Sequence, residues 1–129
     1  MSAEPLLSEP ARVTAQILRP VRWDRMRADE AERIVRARAK RSFNVTIGEH
    51  AFERVAGRSI VLADVYRILQ AGQIDGVPER VARADGSAAW KVVMVRRMPG
   101  AREAGAVTLF LEGDDRLFVK TVMWMDHLR

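Results

Sequence analysis

The chain has 129 residues, 48% of them hydrophobic, and no cysteine, which is enough for one core and leaves out disulfide frames, thiolate metal sites and cysteine nucleophiles. No apolar run approaches the roughly 20 residues that cross a bilayer, and Met1-Ser2-Ala3-Glu4-Pro5 lacks the order of a signal peptide, so a soluble, cytoplasmic protein with no membrane partner is expected. The formal charge of +5 is uneven: residues 12–41 hold ten Arg/Lys against four acids, and residues 42–129 hold twelve against eleven. Such a field draws phosphate backbones and acidic proteins alike, and its plain structural alternative is a solvated helix face.

Residues 1–22 carry Pro5, Pro10 and Pro20, a spacing that breaks helices and predicts an arm on which Val13, Ile17 and Leu18 are the docking side chains. Residues 23–41 read as a basic helical extension. Asp24 is the expected N-cap, acids Asp29, Glu30 and Glu32 lie early, and Arg33, Arg36, Arg38, Lys40 and Arg41 lie late, as the helix dipole favours. Its apolar stripe, Met26, Ala31, Ile34, Val35 and Ala37, is thin, which predicts a helix attached to the core more than part of it.

Residues 42–129 read as an α+β domain. Phe43, Val45 and Ile47 alternate as in a short strand before Gly48, a helix runs from about Glu49 to Ala56, and a third spans Leu62–Ala71 with Gly72 at its end. The period then shifts to two: a weak strand between Gln73 and Arg83, a turn at Ala84–Ser87, and strands Trp90–Arg97, Val107–Glu112 and Leu117–Met125. Glu112-Gly113-Asp114-Asp115 is the expected hairpin turn, and Met98–Gly105 reads as a longer loop. The fold expected is N-terminal helices on a three- to four-stranded antiparallel sheet.

Glycine-rich phosphate loops, nucleophile elbows and zinc-protease helices are absent from the sequence. His50 and His127 are the only histidines, their spacing suggests no metal site, and no cofactor is implied. His50 falls in the first turn of the second helix, with Arg54 one turn on and Arg58 past its end. Imidazole and guanidinium together can move the 2′-hydroxyl proton of RNA and hold the phosphorane without metal; a helix-capping histidine is the structural alternative. Lys91 on a strand face holds a phosphate or marks the solvent side. Thr121 shares its expected face with Leu117, Val119 and Met123, and Trp90 and Trp124 are core residues or base-stacking platforms.

At His50-Ala51-x-x-Arg54, Arg58-x-Ile60, Asp64-Val65, Gly72-x-Ile74, Trp90–Val95 and Val119-x-Thr121-Val122, the chain resembles the domain-of-unknown-function family 4258, which looks related to RelE/BrnT toxins and the barnase/EndoU/colicin ribonuclease superfamily. The resemblance covers about residues 43–125. It implies a RelE/barnase-like fold, metal-independent endoribonuclease activity, catalytic positions at His50, Arg54, Arg58, Lys91 and Thr121, and an antitoxin-like partner. Arg33, Arg36, Arg38, Lys40 and Arg41 are the expected nucleic-acid contacts. Two alternatives stand beside it: an inactive module, such as a mobile-element or phage inhibitor, that binds nucleic acid or an acidic protein through the Arg-rich helix, and a homodimer paired through a sheet edge or the arm.

Overall fold

In a computed structural model, residues 20–57, 60–100 and 102–125 are described, without the side chains of 54–57; the arm at residues 1–19, Arg58 and His127 lie outside this set. Helices α1 (Ala28–Arg38), α2 (Glu49–Gly57) and α3 (Leu62–Ala71) accompany strands β1 (Val45–Ile47), β2 (Gln73–Ile74), β3 (Glu79–Ala82), β4 (Ala88–Met98), β5 (Arg102–Phe110) and β6 (Leu117–Trp124). The α+β class agrees with the sequence. The sheet is larger than expected and mixed: its order is β1-β6-β5-β4-β2, β3 also pairs with β4, and β1 runs parallel to β6.

Alternation along the strands sorts side chains onto two faces. Val92 and Met94 of β4, Ala104, Ala106 and Phe110 of β5, and Leu117, Val119 and Val122 of β6 share one core with all three helices. The helix α3 lies over β4 and β5, and α2 over β6. Fully buried Val65, Ile68 and Leu69 bind α3 down, each contributing on the order of 1.5–3 kcal/mol. Its end is set by contact as well as propensity. A Cβ on Gly72 would run into the Ile68 carbonyl and come within 2.6 Å of the Val95 carbonyl oxygen, so no other residue fits there without moving backbone.

The start and packing of α1 differ from the sequence expectation. Its N-cap is Arg27, not Asp24. The Arg27 backbone N–H donates to the Glu30 carboxylate (3.2 Å), so Glu30 serves as the acidic half of a capping arrangement and is itself buried. Ala31, Val35 and Ala39 are completely buried. The stripe is narrow, but its small side chains let α1 come close to α3, and the helix is part of the core.

Three further corrections concern the sheet. The segment Gln73–Arg83 forms two strands, broken by Gly76 at φ +86°. The expected loop Met98–Gly105 is mostly strand: β4 and β5 are joined by residues 99–101, with Gly100 at φ +86°. Arg102–Ala106 lacks alternation, but its place is set by neighbours, since the Met125 N–H donates to the Glu103 carbonyl (2.7 Å) and Met125 fills the space over Gly105. Finally, Val107 faces Thr121 while Thr108 faces Val119, which makes Lys120 the extra residue of a β-bulge. The bulge shifts the phase of β6, so Val122 enters the core and Thr121 and Met123 leave the face of Leu117 and Val119.

Candidate functional site

His50 is exposed in the first turn of α2. That turn is held from below. The Gly48 N–H donates to the Val119 carbonyl, the Phe52 N–H donates to the Gly48 carbonyl (both 2.9 Å), and the Phe118 ring lies 2.7 Å from where a Gly48 Cβ would sit. Ala51, next to His50, is fully buried. The helix is therefore anchored through one face while its imidazole meets solvent. Arg54 is one turn on in the α2 backbone, and its side chain, like all of Arg58, lies outside the described residues.

Lys91 and Thr121 belong to a different surface. Lys91 sits between core residues Trp90 and Val92, so it leaves the sheet on the side away from the helices, where its Nζ is 3.2 Å from a Glu79 carboxylate oxygen. Thr121 leaves on that side because of the bulge. The two strands β4 and β6 are separated by β5, about 10 Å across the sheet, and Thr121 lines up through Val107 with Val93 and not with Lys91. The same surface carries an apolar hollow of about 560 Å³ lined by Val81, Ala89, Leu109 and Phe118, with Arg83 and Arg116 at its rim.

The cations of α1 divide into two groups. The Arg36 guanidinium donates to the Gly72 carbonyl (Nε 2.9 Å, Nη2 2.5 Å) and lies 3.5 Å from Glu32, while Glu32 accepts from the Ile74 N–H (2.9 Å). Arg38 is deeper, its side chain 11% exposed. Its Nη1 donates to the carbonyls of Leu111 (2.8 Å) and Arg116 (3.2 Å) and to Asp114 (3.3 Å), and its guanidinium lies 5.8 Å from the ring centroids of both Trp23 and Phe110. Burial pushes its pKa below the ordinary arginine value, and Asp114 and Asp115 oppose that shift. By contrast, Arg33, Lys40 and Arg41 are exposed.

Phe43 was not singled out as a site residue by the sequence, where it reads as the first alternating residue of a short strand. Instead Ser42–Asn44 is a turn of 3₁₀ helix, with the Asn44 N–H donating to the Arg41 carbonyl (2.9 Å), and the Phe43 ring is 78% exposed. The available signal was an aromatic two residues after a Lys40-Arg41 pair. Neither expected tryptophan platform is open in this way. Trp90 is 8% exposed and donates its indole N–H to the Trp23 carbonyl (2.9 Å), and Trp124 carries the Arg102 guanidinium 3.9 Å from its ring centroid.

Among the described residues, no three His, Asp or Glu side chains gather as a metal-binding group, and no helix is long and apolar enough to cross a membrane. No protein-family model matches the chain, and neither the curated proteins nor the solved structures hold a significant match.

Proposed function

We propose that this protein acts on RNA as a metal-independent endoribonuclease of the toxin type, cutting through the 2′-hydroxyl from the first turn of α2. The observation that carries the reading is the exposed imidazole of His50 beside the fully buried Ala51, on a helix that also holds Arg54 one turn further on. Imidazole exchanges protons in the physiological range, and guanidinium stabilises the dianionic phosphorane without a metal. The reading also draws on the motif resemblance from His50 to Ile74. It narrows the centre to His50, Arg54 and Arg58, because Lys91 and Thr121 leave the opposite side of the sheet. A toxin of this kind implies an inhibitor that covers His50.

The test is incubation of the purified chain with mixed RNA in EDTA beside His50→Ala. Fragments ending in 2′,3′-cyclic phosphate are expected from the parent chain, with a loss of about 100-fold or more in the variant. Equal cutting by both removes His50 from the mechanism. Intact RNA at high protein concentration removes the enzyme and leaves the second reading, an RNA-binding module, which has in its favour the exposure of Arg33, Lys40 and Arg41.

A further inference from the structure

We infer that the corner between α1 and β1 is a single-stranded RNA subsite in which the Phe43 ring stacks on a base and Lys40 and Arg41 hold the adjoining phosphates; this rests on the RNA reading above, but not on cleavage. What sets Phe43 apart from other exposed apolar side chains such as Phe52 and Val77 is its place within three residues of the exposed Lys40 and Arg41, an aromatic face beside two cations. Here the ring projects from a turn tied at both ends: the Asn44 side-chain amide donates to the Arg38 carbonyl (3.0 Å), and the Gln70 amide donates to the Ala39 carbonyl (2.8 Å). The ring is therefore presented by a fixed backbone, as a stacking platform requires. Beneath it a cavity of about 280 Å³ is lined by Arg38, Lys40, Arg41, Phe43, Asn44 and Asp115.

Charge sets the direction of the strand across this corner. Asp115 on the far wall repels phosphate, and Arg38 is spent on the Leu111 and Arg116 carbonyls, so the backbone is confined to the Lys40/Arg41 side with the base turned toward the ring. An aromatic flanked by two cations fits a base and its phosphates better than an acidic peptide, which would use the cations and leave the ring idle. Phe43 and His50 stand at the two ends of edge strand β1, seven residues apart, a step that limits their Cα separation to about 25 Å. One RNA strand can engage both, with the Phe43 corner setting which nucleotides lie at a distance from the cut.

The experiment measures anisotropy of a fluorescein-labelled 2′-O-methyl oligonucleotide, which lacks the nucleophile and reports binding alone. Phe43→Ala is expected to weaken binding about tenfold, Phe43→Trp to retain it with quenching of the new indole, and Lys40→Ala/Arg41→Ala to flatten the log K against log salt slope by about 0.7 for each charge removed. Because the 2′-O-methyl oligonucleotide cannot be cut by the parent or by any variant, loss of cleavage and loss of this subsite are read separately. Unchanged binding by Phe43→Ala, with the parent's circular dichroism, overturns the subsite. Displacement of the oligonucleotide by poly-glutamate equally well from the parent and from Phe43→Ala overturns it in favour of an acidic partner.

Discussion

Arg36 and Arg38 on one side, and Arg33, Lys40 and Arg41 on the other, look equivalent in the sequence: five cations along and just beyond one short helix. The fold separates them. Arg36 and Arg38 donate to backbone carbonyls at Gly72, Leu111 and Arg116, whereas Arg33, Lys40 and Arg41 are exposed. A count of positive charge therefore overstates how much of it is exposed. The cations of the first group hold the helix to the sheet and the hairpin, and those of the second are the ones a phosphate can reach.

The sharpest way to break this division is Arg38→Ala. It removes a side chain packed between Trp23 and Phe110 and strands two carbonyls, and is expected to cost about 2–3 kcal/mol of stability, read as a lower urea midpoint at unchanged slope. Arg38→Lys should recover only part of this, because an ammonium cannot serve three acceptors in the guanidinium plane. Next comes Arg36→Ala, expected to cost about 1 kcal/mol through the Gly72 carbonyl. The smallest effect is expected from Arg33→Ala, within about 0.5 kcal/mol. RNA binding should follow another order: Lys40→Ala/Arg41→Ala weakens it while leaving the urea midpoint in place. An Arg33→Ala variant as unstable as Arg38→Ala would dissolve the distinction.

Where local chemistry decides, the sequence was readable. The helix Leu62–Ala71 has the expected bounds because five apolar residues repeat at helical spacing and Gly72 follows. The turn at residues 84–87 forms because Asp85 accepts from both the N–H and the hydroxyl of Ser87 and Gly86 takes φ +90°. The same holds for the hairpin at Gly113, with φ +93°. At the candidate site, the helix carrying His50 and its place in the first turn were legible, since β-period residues end at Gly48 and a helix begins immediately after.

Where the partner strand decides, it was not. Nothing local to Lys120 announces a bulge; the mismatch exists only in its pairing with Val107 and Thr108, and it alone moved Thr121 off the expected face. Phe43 was read as part of the strand because Val45 and Ile47 follow it at strand spacing, but that strand starts two residues later. Alternation cannot reveal where pairing stops.

By itself, then, the sequence determined the three helices, the glycine-marked turns and the concentration of charge before residue 42, since each depends on backbone preference or on neighbours within a few positions. Only the tertiary structure decided that β1 lies parallel to β6, that Arg38 is enclosed while Lys40 is not, and that Lys91 leaves the sheet on the side away from the helix that carries His50. Those outcomes depend on contacts between residues tens of positions apart, where free energy is gained only after the whole sheet has formed.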